Sequence, residues 1–195
     1  MTIAPLETRY HGCRFRSRLE ARWAVFFDKL GIPWQYEPQG FQIGEETYLP
    51  DFYLPQSKTW VEVKGAEEDF LTRGALYSAA ASGALPGTEK TWGTDAGLLV
   101  LGPLPHIDFG DMLPTHTLLQ NDPEGLRRSF AAFHSLKSLQ TVATWDGPVG
   151  PPQLPDRRGL PFIATAGYPP ADVMDHAARA YIAANEARFE YGERG

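Results

Sequence analysis

The sequence has a single cysteine, Cys13, among 195 residues, which excludes an internal disulfide and a cysteine-based zinc site. It also lacks any apolar run that approaches the ~20 residues needed to span a bilayer. The first twenty residues hold four arginines and no apolar block of signal-peptide length, so we expect a cytoplasmic protein without membrane association. The glycine-rich phosphate-binding motifs of nucleotide-driven motors and dinucleotide enzymes are absent.

Composition is otherwise that of a globular protein, with 43% hydrophobic and 22% charged residues and a net charge of −6. This net charge argues against a broad phosphate-binding surface. The 19 glycines and 17 prolines are unevenly spread, and they are dense after Pro103 and again in 147–155. We therefore divide the chain into a core (1–120), an irregular Pro/Gly-rich extension (121–168) and a C-terminal helix (169–195) that packs on the core or on a partner.

Local signals in the first half predict the order α-β-β-β-α-β. Ser17 is an N-cap candidate with Glu20 three residues later, which is a capping box, and Gly31 ends the helix. Because a helix joins the last two strands, a parallel crossover is expected. The fold class is therefore α/β, with a mixed central sheet flanked by helices. The predicted strands are about 34–37, 48–54, 59–64 and 97–101, and the further predicted helices are 66–82 and 171–191. Residues 126–139 are ambiguous between helix and strand, and we assign them to a helix.

The most informative stretch is a predicted hairpin with a four-residue loop at 55–58, in which Leu54 faces Thr59. This register puts Asp51 directly opposite Glu62 and puts Lys64 on the same face. Directly opposed like charges destabilise a sheet, and a hard divalent cation would remove that cost. Lys64 would then hold or deprotonate the attacking water and offset phosphate charge. These groups suit metal-assisted phosphodiester hydrolysis.

Pro50-Asp51, ten intervening residues and Glu62-Val63-Lys64 resemble the signature of the PD-(D/E)XK nuclease superfamily. The preceding helix with Glu20 is similar too, because many members place an additional metal-binding glutamate there. By order and spacing, the segment looks closest to the phage and transposon branch, which includes junction resolvases. The resemblance covers about residues 14–102.

The resemblance implies a restriction-endonuclease-like core with an additional C-terminal helical and irregular segment. It implies a DNA nuclease that uses Mg²⁺, for which Mn²⁺ substitutes. Asp51 and Glu62 would be metal ligands with Val63 in the same metal site, Lys64 the catalytic lysine and Glu20 an accessory ligand. The branch further implies an endonuclease of phage, mobile-element or DNA-repair type in a bacterial or phage-infected cell, acting as a homodimer or in a recombination or replication complex.

Several of these residues also have a plain structural interpretation. Glu20 is explained by the capping box alone, and both roles are compatible. Glu62 and Lys64 form an ordinary charge pair if they lie on an edge strand, and Asp51 is then a turn residue. Aromatic side chains beside the predicted site, Tyr53 and Trp60, would stack on bases or pack in the core, and the sequence favours the core.

A basic segment precedes and begins the first helix, with only Glu20 opposing it over residues 9–22. We expect it to steer DNA toward the metal, since helix N-termini also favour phosphates. A solvated charged face is the other interpretation. The proposed DNA-binding residues are Arg14, Arg16, Arg18 and Arg22.

Two other function classes stay open at this point. One is a nuclease-fold module that binds DNA or docks a partner with little activity of its own, although the complete set of acidic and basic motif residues argues against it. The other is a nuclease directed at RNA. Metal-dependent cleavage of several nucleic acid substrates would separate these classes.

Overall fold

The computed structural model describes residues 7–66, 72–91, 96–107, 114–123, 125–134, 138–145 and 171–189. It is a mixed α/β arrangement in which helices flank a central seven-stranded sheet of order β11-β10-β9-β8-β7-β6-β3. Only the β7–β8 neighbours are parallel among its strand pairs. The elements are β1 (Thr8–Tyr10), β2 (Cys13–Phe15), α1 (Arg18–Leu30), β3 (Gln35–Tyr36), β4 (Phe41–Ile43), β5 (Glu46–Tyr48), β6 (Phe52–Leu54), β7 (Thr59–Val63), α2 (Gly74–Ala79) with a π-helical turn (Ala80–Ala84), β8 (Gly97–Leu101), β9 (His116–Asp122), β10 (Gly125–His134), β11 (Ser138–Trp145) and α3 (Ala171–Glu186).

The β6–β7 hairpin has the predicted register, in which Leu54 faces Thr59 and Phe52 faces Val61. Alternation then sends Phe52, Leu54, Val61 and Val63 to one face of the sheet, where they are buried. The parallel pairing of β7 with β8 confirms the crossover expected from the helix between them. Gly97 at the start of β8 has φ +146, and a Cβ there would lie 2.3 Å from the Leu119 carbonyl oxygen, so the close β8–β9 approach requires glycine.

Helix α1 begins and ends where the capping signals predicted. The Ser17 hydroxyl accepts a hydrogen bond from the Glu20 amide (3.2 Å), and Gly31 is left-handed at φ 73. One side of the helix packs on the apolar face of the sheet, and each large side chain buried this way stabilises the fold by roughly 1.5–3 kcal/mol. The largest of these α1 side chains are Trp23, Phe26, Phe27 and Leu30.

The C-terminal helix docks on this core. In α3, Tyr181 is fully buried, and its ring lies 4.3 Å from that of Phe26 between centroids. The His116 Nε2 atom on β9 lies 2.7 Å from the Tyr181 hydroxyl. The helix ends at Glu186, short of the predicted Tyr191, and residues 190–195 lie outside the described residues.

The opposite face of the sheet carries a second apolar cluster beneath α2 and the small β4–β5 hairpin. Trp60 on β7 is buried in it, with its ring 4.5 Å from that of Tyr53 and its Nε1 donating to the Pro86 carbonyl (3.0 Å). Trp60 therefore packs in the core, as the sequence favoured. The other large members of the cluster are Tyr48, Leu76, Tyr77, Leu85 and Leu98.

The predictions for residues 126–139 and 48–54 were wrong. Residues 126–139, expected as a helix, lie in antiparallel strands β10 and β11, except for 135–137, which the structure does not describe. The described part of the extension expected to be irregular, up to 145, is therefore mostly strand, because β10 pairs with β9 directly before it and with β11 directly after it. The strand expected at 48–54 is two strands, β5 and β6, in different sheets, separated by Leu49-Pro50-Asp51.

The helix expected over 66–82 begins instead at Gly74, and Thr72 and Arg73 form a turn before it. Residues 67–71 of that helix and the Pro/Gly-rich stretch 147–155 lie outside the described residues. Among the described helices, none combines the length and apolar character needed to cross a membrane.

Candidate active site

The β6–β7 hairpin brings together the acidic residues singled out from the sequence. Asp51 directly precedes β6, and continuing the observed register places it opposite Glu62 on β7. Both carboxylates are buried, with 8% and 3% of their residue surfaces exposed. Asp51 Oδ2 accepts a hydrogen bond from the Val63 amide (2.7 Å), while its Oδ1 accepts none from the described residues. Asp51 therefore holds the end of the hairpin and still has a free carboxylate oxygen.

Glu62 lies at the centre of a buried polar network. Lys64 Nζ lies 2.6 Å from Glu62 Oε1, which confirms that these two side chains share a face of β7. Two phenols bind the same carboxylate: Tyr48 donates to Oε2 (2.8 Å) and Tyr77 donates to Oε1 (3.1 Å). Sequence reasoning missed both tyrosines, because their elements, β5 and α2, have no register with β7 that spacing reveals.

The charges of these groups are strongly coupled. Burial, together with the charges of Glu62 and Glu20, raises the pKa of Asp51 well above its usual range. Burial lowers the pKa of Lys64, but the Glu62 carboxylate outweighs it and raises that pKa above its ordinary value. Lys64 is therefore a cation at neutral pH. The site combines an ammonium with a carboxylate pair that resists carrying two negative charges.

Glu20 lies close enough for its charge to act on Asp51, but its oxygens are taken by protein donors. Oε1 accepts from the Ser17 hydroxyl (2.7 Å), and Oε2 accepts from the Tyr36 hydroxyl (2.7 Å) and the Arg16 amide (3.1 Å). Glu20 therefore takes part in the N-terminal cap of α1, as the sequence predicted. Its carboxylate accepts from the Arg16 amide, whereas a standard capping box would use the amide of the N-cap residue, Ser17.

The arginines of the basic segment have different environments. Arg16 forms an ion pair with Glu37, whose amide donates to the Asp51 carbonyl (2.9 Å), so Arg16 lies at the edge of the carboxylate site. Arg14 is exposed and pairs with Glu7. Arg18 is exposed on α1, and Arg22 is half-buried.

A divalent cation at this site would draw on few protein ligands. Within the described residues, no three histidine, cysteine, aspartate or glutamate side chains lie close enough together to bind one ion. Mg²⁺ commonly takes one or two carboxylates and completes its shell with water and substrate phosphate. Asp51, which uses one carboxylate oxygen for the Val63 amide and has a pKa raised by burial and by Glu62, fits such a two-carboxylate site.

Comparisons with protein-family models, curated proteins and solved structures gave no match to this chain. The site therefore has to be interpreted from its own geometry. That geometry consists of the paired carboxylates of Asp51 and Glu62, the Lys64 ammonium and two phenols on Glu62.

Proposed function

We propose that this protein is a divalent-metal-dependent nuclease of the restriction-endonuclease-like type, which hydrolyses DNA phosphodiester bonds. The observation that supports the proposal most is the register of β6 and β7, which opposes Asp51 and Glu62 and places Lys64 beside them. Directly opposed carboxylates repel each other, and a divalent cation bound between them would remove that cost.

Asp51 and Glu62 would hold Mg²⁺, with the Val63 carbonyl as the adjacent backbone oxygen. When bound, the ion would polarise the scissile phosphate and lower the pKa of its bound water. Glu20 caps α1 and adds negative charge around Asp51, and since its Oε1 accepts from a single donor among the described residues, as Glu62 Oε2 does, the accessory-ligand role is compatible with the cap.

Lys64 is the residue of the site that bears positive charge toward an anionic substrate. Because the Glu62 carboxylate raises its pKa, the ammonium form suits electrostatic stabilisation of the phosphate better than proton abstraction. Arg16 at the edge of the same site supplies a second cation for the DNA backbone once it leaves Glu37.

The decisive experiment is cleavage of linear duplex, single-stranded, nicked and four-way-junction DNA, and of RNA, with Mg²⁺ or Mn²⁺. We expect Asp51→Asn and Glu62→Gln each to reduce the cleavage rate by at least about 100-fold, the range seen when one electrostatic stabiliser is removed. Glu89→Gln is the matched control, because this carboxylate is exposed in the loop between the π-helical turn and β8, outside the hairpin that carries the site.

Circular dichroism would establish that each variant is folded. Cleavage that survives both Asp51→Asn and Glu62→Gln would remove the site assignment. Wild-type protein that binds DNA equally with and without EDTA, and cleaves no substrate, would instead favour a DNA-binding module. Cleavage confined to RNA would retain the site and change the substrate.

A further inference from the structure

We propose that Tyr48 and Tyr77 are positioning residues that fix the Glu62 carboxylate for cation binding. This inference rests on the proposed function, because it concerns how one of the two proposed metal ligands is held. Neither tyrosine belongs to the Asp51–Glu62–Lys64 motif.

The two phenols reach opposite oxygens of one carboxylate from different elements. Tyr48 at the end of β5 donates to Oε2 (2.8 Å), and Tyr77 on α2 donates to Oε1 (3.1 Å). Both residues are almost completely buried, with 1% and 0% of their surfaces exposed. In this network the Glu62 carboxylate accepts one hydrogen bond from each phenol.

The physical reason for a positioning role is the freedom of the glutamate side chain. The terminal torsion of glutamate is broad, so a carboxylate held by one partner can still rotate. Donors on both oxygens fix the plane of the Glu62 carboxylate, and Lys64 on Oε1 adds a third contact. Partners of this kind are worth about 10–100-fold in metal affinity at known metal sites.

The surrounding structure holds the two phenols in place together. Arg73, which precedes α2, pairs with Glu46 on β5, so the hairpin that carries Tyr48 is tied to the helix that carries Tyr77. The two tyrosine rings lie 5.9 Å apart between centroids. Glu62 thus accepts hydrogen bonds from two buried phenols whose elements also contact each other.

Tyr53 provides a matched control for the loss of a phenol. It lies on the neighbouring strand β6, where its half-buried ring stacks on Trp60 at 4.5 Å between centroids. Its hydroxyl makes no hydrogen bond with the described residues. Tyr53→Phe therefore removes a hydroxyl from the same hairpin without touching Glu62.

The test is a titration of the full chain with Mn²⁺, in which the electron paramagnetic resonance signal of the free ion reports how much has bound. The midpoint of thermal unfolding of each variant is measured in parallel. We expect Tyr48→Phe and Tyr77→Phe each to weaken Mn²⁺ binding by about 10-fold, with Tyr53→Phe equal to wild type. The Mn²⁺ affinity of either variant that folds tests the positioning role, because each phenol contacts the Glu62 carboxylate from a separate element.

The outcomes separate this inference from the proposed function. If the wild type binds no Mn²⁺, the proposed metal-dependent function fails before the tyrosines are considered. Unchanged or tighter binding in a folded Tyr48→Phe or Tyr77→Phe variant would overturn the positioning role while leaving the nuclease proposal in place. Failure of both variants to fold would assign the tyrosines to stability alone.

Discussion

His116 shows how one buried polar residue makes stability depend on pH. The imidazole lies on β9 with 4% of its residue surface exposed, and its Nε2 atom faces the Tyr181 hydroxyl of α3 at 2.7 Å. Aromatic rings of α1 and β10 also surround it, including Trp23 at 5.3 Å and Phe133 at 5.5 Å between centroids. Burial lowers the pKa of His116 to about 3, so the folded protein holds it neutral.

We predict that His116 destabilises the fold as pH falls from about 6.5 toward 3. In this window the unfolded chain binds a proton that the folded protein does not, so the free energy of unfolding decreases by up to about 1.4 kcal/mol per pH unit from this residue. Chemical denaturation at several pH values would measure the slope. The His116→Gln variant removes this titration, and a slope equal to that of wild type would contradict the prediction.

At the scale of elements, the start of α1 links helix capping to the candidate site. The Ser17 hydroxyl accepts from the Glu20 amide and donates to the Glu20 carboxylate, which also binds Tyr36 next to the Asp51 end of the hairpin. The Glu37 amide on the same edge donates to the Asp51 carbonyl (2.9 Å). The helix cap and the sheet edge are therefore joined through Glu20.

We predict that Ser17→Ala lowers the free energy of unfolding by about 1 kcal/mol, the usual cost of losing an N-cap hydroxyl. Ser82→Ala is the control, because Ser82 is exposed and its hydroxyl only donates back to the Ser78 carbonyl within its own helical segment. Urea denaturation of both variants would measure the difference. Equal stability of Ser17→Ala and Ser82→Ala would show that the cap contributes nothing.

For the whole molecule, stability and the candidate site have largely separate sources. The first apolar cluster joins α1 and α3 to one face of the sheet, and the second lies on the other face. The carboxylates of the site have their own protein donors: Glu62 binds Tyr48, Tyr77 and Lys64, and Asp51 binds the Val63 amide. Folding therefore requires no cation at this site.

We predict that EDTA abolishes cleavage and leaves the fold intact. The physical reason is that core packing and the protein donors at Glu62 and Asp51 are unaffected by chelation. Parallel nuclease assays and thermal melts, with Mg²⁺ added back as the control, would measure both effects. Unfolding on chelation would reveal a structural metal, and full activity in EDTA would exclude a metal-dependent mechanism.

The amino-acid sequence by itself determined the features that depend on near neighbours. The capping residues and apolar spacing of α1 predicted its bounds, and a four-residue loop with strict alternation predicted the β6–β7 register that opposes Asp51 and Glu62. Both are local because a cap or a tight hairpin is fixed within a few residues.

Only the tertiary structure decided the features that depend on distant partners. Residues 126–139 were expected to be helical, yet those that the structure describes are strand, because the β9–β10–β11 meander is joined to the central sheet through the pairing of β9 with β8 across residues 102–115. The phenols of Tyr48 and Tyr77 meet Glu62 from elements whose position relative to β7 no spacing encodes. Sequence thus supplied the charged groups of the site, whereas packing between remote elements supplied the donors that hold them.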